Sequence, residues 1–203
     1  MNPLISVVIP CFNDGAYLPE TIAKLALQTE KSFEIIIVND GSTEGNTLQV
    51  LAQLATQENI TVLHKENGRM SSARNHGVKY AKGKYIAALD ADDYFDPSFF
   101  KKAIAILNSQ PTTAVVTSYI QYFGNKTGTS KPRGGNAYNF LFSNQCPACA
   151  MVRKEVWDQV GGYDENMKLG YEDWEFYIRI TKQNWSVHLI PEYLLFYRQT
   201  DKS

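Results

Sequence analysis

Three carboxylates fall within four residues at the end of an apolar run: Asp90, Asp92 and Asp93 follow the segment Tyr85–Leu89. A run of this kind, with Gly83 before it, is typical of a strand that is buried on both faces. Like charges this close repel one another, so the arrangement needs either bulk water or a cation among the carboxylates. Oxygen ligands of this type suit Mg²⁺ or Mn²⁺, and a nucleoside diphosphate would complete the shell of the ion. The alternative is a solvated acidic loop that ends the strand and caps the next helix.

Strands and helices are predicted to alternate through the first half of the chain. Apolar runs predict strands at residues 5–10, 33–38, 60–64 and 85–89. Helical spacing of apolar residues predicts helices at residues 17–28, 47–57, 71–81 and 97–108. This alternation indicates an α/β fold with a doubly wound, Rossmann-like, mostly parallel sheet flanked by helices. Ligands of such sheets lie beyond the carboxyl ends of the strands, where the polar clusters around Asp14, Asp40 and Asp92 fall.

The second half of the chain has a different pattern. Strands are predicted at residues 114–123, 148–152, 187–190 and 193–197, and helices at residues 154–159 and from residue 171 onward. Residues 124–135 are rich in Gly, Lys, Thr and Ser, which predicts a mobile loop. Glu172 and Asp173 would lie in the first turn of the last helix, where acidic residues are favoured even without a catalytic role.

Composition and charge exclude several classes of function. The chain has 203 residues, 44% hydrophobic and 20% charged, with a formal net charge of −1. A near-neutral chain gives no electrostatic case for binding nucleic acid or membranes. No apolar segment approaches the roughly 20 residues that a transmembrane helix needs. A single domain in the cytoplasm is therefore expected.

Three cysteines raise the question of a redox or metal site. Cys146 and Cys149 have C-x-x-C spacing, while Cys11 lies near the first strand. An odd, small number of cysteines does not predict a disulfide framework. A redox pair would be expected to open a helix early in its fold, and no second Cys/His pair is present to complete a zinc site. The redox and zinc interpretations are therefore disfavoured.

Six motifs in order resemble those of the family 2 glycosyltransferases, inverting enzymes of GT-A fold that use nucleotide-sugars. The matching segments are Ile5–Asp14, Val38–Thr43, Ser72–Gly77, Leu89–Asp93 with its D-x-D pattern, Gly161–Glu165 and Glu172–Trp174. The resemblance covers nearly the whole chain. It implies one domain over residues 1–203, with a nucleotide-binding half at 1–110 and an acceptor-binding half at 111–203.

The resemblance also implies roles for the first loops. Pro10 and Phe12 would line the pocket for the base, and Asp40 would hydrogen-bond the base or the ribose. Asn67 and Arg74 would face the nucleotide, with the guanidinium of Arg74 near a phosphate.

The remaining implied roles concern the metal and the chemistry. Asp92 would bind Mg²⁺ or Mn²⁺ directly, while Asp90 would touch the ribose or a metal-bound water and Ala91 would lie against the donor. Asp93 would support the loop. Asp173 matches the general base that takes the proton of the acceptor hydroxyl, with Glu172 as the alternative. A single in-line displacement with one base would invert the anomeric configuration.

One feature departs from the family pattern. Many relatives place a histidine after the last strand, but the segment 197–201 has none, and Arg198 is the candidate to take its place at the phosphates. The expected donor is a UDP-sugar, and the acceptor is a glycan or a lipid-linked acceptor, as in polysaccharide biosynthesis. The cytoplasmic expectation then includes peripheral association with the inner face of the membrane.

Two other functions remain open at this point. A sugar-phosphate nucleotidyltransferase also uses an α/β fold and carboxylate-held Mg²⁺, but no Gly-rich, Arg/Lys-bearing loop follows the first strand to hold a triphosphate. A catalytically silent nucleotide-sugar-binding module is the other alternative. The presence of Asp92 and Asp173 argues against it.

Overall fold

A computed structural model describes residues 2–200 as one α/β domain. The strands of these residues are β1 Ile5–Cys11, β2 Phe33–Asp40, β3 Ile60–Lys65, β4 Tyr85–Ala88, β5 Tyr94–Phe95, β6 Thr113–Gly124, β7 Gly128–Ser130, β8 Met151–Arg153 and β9 Ser186–Gln199. The helices are α1 Leu18–Ala26, α2 Gly45–Leu54, α3 Arg69–Tyr80, α4 Phe99–Ser109, α5 Ala137–Phe140, α6 Lys154–Val160 and α7 Glu172–Lys182.

All the strands belong to one sheet in the order β3-β2-β1-β4-β8-β6-β9-β5, and β7 pairs with β6. The four strands β3, β2, β1 and β4 run parallel, as the alternating pattern predicts. β8 inserts antiparallel between β4 and β6, whereas β6 and β9 run parallel to each other. The predicted mostly parallel sheet is therefore confirmed, and the carboxyl ends of β1, β2 and β4 lie at one edge.

The sheet is buried on both faces. On one side, Val7 and Ile9 join an apolar cluster with α1, α2 and α4. On the other side, Val8 and Val38 pack with α3, α6 and α7. Because neighbouring residues of β1 point to opposite faces, an uninterrupted apolar run is what a sheet between two helical layers requires. None of the helices in residues 2–200 combines the length and the apolar character that crossing a membrane needs.

The secondary structure of three segments differs from the sequence-based prediction. Residues 128–130 form strand β7, which pairs with β6 as a hairpin, within the segment predicted to be a mobile loop. The two predicted final strands are one strand, β9, whose pairing with β6 is irregular around Pro191. A proline has no N–H for the ladder, so it interrupts the pairing without ending the strand. The short α5, with its Asn136 capping box, was not predicted.

Candidate active site

A cavity of about 860 Å³ opens at the carboxyl edge of the parallel strands. Its lining includes most of the residues that the sequence assigned to the donor and the metal: Pro10, Phe12, Asp40, Asn67, Asp90, Ala91 and Asp92. Glu172, the alternative base, also lines it. Residues at the ends of the four strands β1, β2, β3 and β4 thus converge on one cavity, because these strands are parallel neighbours.

Asp40 organises one wall of this cavity. Its side chain, 3% exposed, accepts a hydrogen bond from Lys65 Nζ at 2.7 Å and from the backbone N–H of Gly68 at 3.0 Å. Asn67 Nδ2 donates to the Asp40 carbonyl oxygen at 2.8 Å. Gly41, with φ +76°, brings the backbone so close that a Cβ would lie 2.8 Å from Asn67 N. The carboxylate of Asp40 is therefore a fixed, charge-paired group.

Phe12 lies at the opposite rim and remains 45% exposed. The next residue, Asn13, adopts φ 57° and accepts hydrogen bonds from the backbone N–H groups of Thr43 and Glu44 at 2.9 and 3.0 Å. These bonds join the loop after β1 to the loop after β2. A half-exposed aromatic ring on a fixed loop is suited to stacking against a planar ligand.

The carboxylates of the acidic loop occupy different environments. Asp93 is 1% exposed and accepts hydrogen bonds from the Arg198 backbone N–H at 2.8 Å and from Cys149 Sγ at 3.4 Å. Burial, followed by the charge of Asp90, raises its pKa well above the usual value. Burial and Asp90 also raise the pKa of Asp92, to about 6. Asp93 faces inward, whereas Asp90 and Asp92 line the cavity.

The chemistry of these donor atoms fits a hard divalent cation on the cavity side. Donor atoms of Asp90, Asp93 and Cys149 lie within 4.8 Å of one another. Burial raises the pKa of the Cys149 thiol well above its usual value, so Cys149 stays protonated and donates to Asp93. Cys149 and Asp93 therefore satisfy each other inside the protein. The carboxylates of Asp90 and Asp92 line the cavity and are the hard oxygen groups that could hold Mg²⁺ or Mn²⁺ there.

Arg74 connects the acidic loop to the last helix. It is 2% exposed, donates from Nη2 to Asp90 Oδ1 at 2.7 Å, and donates from Nη1 to Glu172 Oε1 at 3.1 Å. Its Nε has no hydrogen-bond partner in residues 2–200. Arg74 was expected to face a phosphate, and here two of its nitrogens are bound to carboxylates while its side chain lines a second cavity. The turn at Gly161–Glu165 supports it, since the guanidinium lies 5.4 Å from the centre of the Tyr163 ring.

The second cavity, of about 300 Å³, contains Asp173. It adjoins the first, and the two share the lining residues Met70, Asp90, Glu172 and Tyr197. Asp173 Oδ1 accepts from the Trp174 backbone N–H at 2.7 Å, and Oδ2 accepts from Asn144 Nδ2 at 2.8 Å. Burial raises the pKa of Asp173 above its usual value, and the nearby charge of Glu172 adds to this effect. The half-buried carboxylate of Asp173 thus lines the same cavity as Asp90 of the acidic loop.

Sequence reasoning missed some residues of this site. Tyr197 was quoted only as part of the segment without histidine, yet it lines both cavities. Asn144 carried no motif, and its contact with Asp173 spans 29 residues of sequence. Cys146 and Cys149 were considered as a redox pair, but both are buried and burial raises the pKa of Cys146 to about 12.

Arg198 lies beneath the acidic loop. Its Nη2 donates to Glu20 at 2.5 Å, its Nε donates to the Asp92 carbonyl at 3.1 Å, and its guanidinium lies 4.4 Å from the centre of the Phe123 ring. Arg198 was expected to replace the family histidine at the phosphates. In the structure it holds the backbone of the acidic loop.

Comparison with known proteins identifies the family. The family model described as "Glycosyl transferase family 2" matches residues 6–161. The glycosyltransferase GlyG of Streptococcus pneumoniae is 28% identical over 98% of this chain and 58% of its own length. An uncharacterized glycosyltransferase of Rickettsia typhi is 30% identical over 98% of this chain and 65% of its own length. The chondroitin synthase of Pasteurella multocida is 30% identical over 92% of this chain, but over only 20% of its own length.

Solved structures share the fold. TarS of S. aureus, in complex with UDP, superposes with a TM-score of 0.80 at 21% identity, over 97% of this chain and 60% of that one. The mannosyltransferase PcManGT of Pyrobaculum calidifontis, in complex with GDP-Man and Mn²⁺, gives a TM-score of 0.76 at 16% identity, over 100% and 59% of the two chains. The chain thus spans less than two thirds of the length of these relatives.

The family model covers more than half of the chain, and the fold superposes on TarS over 97% of the chain. The chain belongs to glycosyltransferase family 2 and has the GT-A fold.

Proposed function

We propose that this domain transfers a sugar from a UDP-sugar donor to a hydroxyl group of a glycan or lipid-linked acceptor, with inversion at the anomeric carbon. The observation that supports this most directly is the shared boundary of the two cavities. Asp90 and Glu172 belong to both linings, so a sugar bound there would lie between the acidic loop and Asp173. Donor and acceptor would then approach from opposite sides, which an in-line displacement requires.

The larger cavity is proposed to bind the donor. The ring of Phe12 would stack on the base, and the fixed carboxylate of Asp40 and the nearby Asn67 would contact the base or the ribose. At the boundary with the second cavity, which Arg74 lines, its Nε has no hydrogen-bond partner within residues 2–200 and is a donor suited to a phosphate or sugar oxygen. Two structural neighbours support a nucleotide-sugar, since TarS was solved with UDP-GlcNAc and PcManGT with GDP-Man. Residues 1–110 would thus form the donor half and residues 111–203 the acceptor half.

Asp92 is the residue proposed to bind the cation directly, with Asp90 at the ribose or a metal-bound water. Bound Mg²⁺ or Mn²⁺ would neutralise charge on the departing nucleoside diphosphate. Arg198 would keep the loop backbone in place through the Asp92 carbonyl. The presence of Mn²⁺ in the PcManGT complex supports this choice of metal.

Asp173 is proposed to take the proton from the acceptor hydroxyl. Its raised pKa makes it a better base than an ordinary aspartate, and general base catalysis typically contributes about 10² to 10⁴-fold. Glu172 is less suited to this role because it is paired with Arg74. With one base and no covalent intermediate, the displacement inverts the anomeric carbon.

A thermal-shift screen of UDP- and GDP-sugars, with and without Mn²⁺, tests the proposal. A ligand present at 100 times its Kd stabilises the folded state by about 2.7 kcal/mol. For a chain of this size that corresponds to a rise in Tm of roughly 5 to 10 °C. We expect the largest rise with a UDP-sugar and Mn²⁺ together, and no rise with any nucleotide-sugar would contradict the proposal.

The same screen, extended with a nucleoside triphosphate plus a sugar phosphate and followed by an assay of UDP release, separates the alternatives. A rise with a nucleoside triphosphate and a sugar phosphate would favour a nucleotidyltransferase, which the family assignment already disfavours. A rise with a UDP-sugar but without release of UDP would favour a silent binding module. The cytoplasmic location and the contact with the inner face of the membrane stay predictions, to be checked by fractionation.

A further inference from the structure

Asn144 holds one of the two oxygens of the proposed base. Its Nδ2 donates to Asp173 Oδ2 at 2.8 Å, while Asp173 Oδ1 accepts from the Trp174 backbone. The two bonds fix both oxygens of the carboxylate. Each oxygen keeps a second lone pair, so a hydroxyl group in the cavity can still be deprotonated.

Asn144 is itself held in place. Its Oδ1 accepts from the backbone N–H of Cys146 at 3.2 Å. The preceding residues are joined to α7, because Trp174 Nε1 donates to the Phe140 carbonyl at 2.7 Å. The following residues are joined to the same helix, because the Tyr177 hydroxyl donates to the Pro147 carbonyl at 2.8 Å. With its oxygen engaged by Cys146, the nitrogen of the amide is directed at Asp173.

We propose that Asn144 is the positioning residue of the catalytic base: its amide fixes the orientation of the Asp173 carboxylate and stabilises its ionised form. This inference rests on the proposed function, in which Asp173 is the base. An amide donates a hydrogen bond here and does not titrate, so it supports the carboxylate at every pH at which the protein is folded.

The other groups around Asp173 do not supply this effect. Glu172, on the same helix, is a like charge that raises the pKa of Asp173, whereas Arg74 on α3 lowers it from a position engaged with two carboxylates. Tyr163, Cys146 and Tyr177 also interact with Asp173 electrostatically. Burial raises the pKa of all three, so they remain neutral when Asp173 ionises. Among side chains of the described residues, Asn144 is the hydrogen-bond donor to Asp173.

The pH dependence of nucleoside diphosphate release, UDP or GDP according to the donor, tests the proposal in Asn144→Ala and Asn144→Asp. The assay uses UDP-GlcNAc or GDP-Man with Mn²⁺, whichever gives the larger thermal shift, and measures kcat from pH 5 to 9. The loss of a hydrogen bond to a charged group should shift the acidic limb of the pH profile of kcat to higher pH by about one to two pH units. Asn144→Asp keeps the shape and the contact with Cys146 but replaces the donor by a carboxylate, so its limb should move further. The KM for the donor should change less than threefold in both.

A matched control is Asn136→Ala. Asn136 caps α5 in the same segment, and within the described residues its capping bonds go to Tyr138 and Asn139 rather than to Asp173. It should leave the acidic limb where it is, even if stability falls. Asn144→Asp serves as the decisive variant if Asn144→Ala does not fold.

The outcomes separate this inference from the proposed function. Suppose that Asp173→Asn loses activity but the Asn144 variants keep the acidic limb of the wild type, or lose activity equally at every pH. The role of Asn144 is then refuted, and the assignment of Asp173 as the base stands. If Asp173→Asn is as active as the wild type, the proposed base itself is refuted. A limb that moves upward in the Asn144 variants and is unmoved in Asn136→Ala supports the proposal.

Discussion

At the scale of single residues, the site divides its carboxylates by environment. Asp93 is buried and accepts hydrogen bonds from groups inside the protein. Asp92 lines the larger cavity, and Asp173 lies in the adjoining second cavity. The same side-chain type therefore serves as loop support, proposed metal ligand and proposed base. What differs is which donors and charges surround each one.

Asp92→Asn should abolish the effect of Mn²⁺ on nucleotide binding. A neutral amide is a weaker ligand for a hard cation, so the Kd for UDP with Mn²⁺ should rise to the value measured without metal. Isothermal titration calorimetry with UDP checks this. Asp158→Asn, which alters an exposed carboxylate paired with Lys154, is the matched control and should bind like the wild type. Unchanged affinity of Asp92→Asn with Mn²⁺ would remove Asp92 from the site.

Asp173 should make the stability of the protein depend on pH. Because its folded pKa is raised, it contributes stability that is present below the unfolded value near 4 and is lost as pH rises through the folded value. The difference in unfolding free energy between the wild type and Asp173→Asn should therefore fall as pH rises. Urea unfolding of both proteins at pH 4, 6 and 8 measures it. A difference that grows with pH would show that burial does not raise this pKa.

At the scale of elements, α3 joins the two halves of the site. It packs on β1 and β2, and its buried Arg74 reaches the loop after β4 and the start of α7. The left-handed Tyr171, with φ 64°, precedes α7 and lets Glu172 begin the helix directly at the cavity. Through Arg74, helix α3 therefore links the acidic loop to the first residue of the helix that carries the proposed base.

Arg74→Met should destabilise the domain substantially. It removes the charge that pairs Asp90 and Glu172, which are 19% and 17% exposed, and leaves both carboxylates unpaired. Removing one partner of a buried ion pair costs about 3 kcal/mol, which for this size lowers Tm by roughly 6 to 12 °C. Lys102→Met breaks an exposed pair with Glu192 and should cost about 1 kcal/mol or less. Equal losses of Tm in the two variants, measured by calorimetry, would contradict this account.

The contact between α3 and the sheet depends on Gly77. A Cβ at this position would lie 2.5 Å from Val8 Cγ1 and 3.0 Å from Val38 Cγ2, both on buried strands. Gly77→Ala should therefore cost about 1 to 3 kcal/mol through overpacking. Gly45→Ala, where a Cβ has open space at the start of α2, should instead stabilise by about 0.4 to 1 kcal/mol. Chemical unfolding of both variants checks the contrast, and a neutral Gly77→Ala would show that α3 can shift.

Much of this element structure follows from the sequence. The parallel strands β1 to β4 were predictable because each is a continuous apolar run followed by polar residues. A strand near β8 was predicted at residues 148–152, but its insertion between β4 and β6 was not. The hairpin strand β7 and the short β5 were not predicted, because strands of three and two residues carry too little pattern. Their positions depend on pairing with strands that are distant in sequence.

The site was predictable to the same extent. Residues directly after strands, such as Asp40 and Asp92, were placed at the cavity by the strand pattern and the family motifs. The pairing of Arg74 with Glu172 spans 98 residues, and the contact of Asn144 with Asp173 joins a loop to a helix. Such contacts arise from tertiary packing, so no local spacing indicates them.

At the scale of the whole molecule, one sheet supports two adjoining cavities. The parallel strands β1, β2 and β4 place residues of the larger cavity at one edge of the sheet. Asp173 lies on α7, which packs beside α3, α5 and α6. The chain spans 58% of the length of GlyG and 60% of the TarS fragment of residues 1–349, and it contains both cavities within that span. The account therefore predicts that these residues bind a donor and activate a nucleophile.

The rate of UDP release from the donor, compared between the wild type and Asp173→Asn, tests this central claim most directly. With donor affinity matched by calorimetry, the account predicts that Asp173→Asn releases UDP at least about 100-fold more slowly, because the nucleophile loses its base. Release by Asp173→Asn at the wild-type rate would contradict the account, since the second cavity would then have no part in the chemistry.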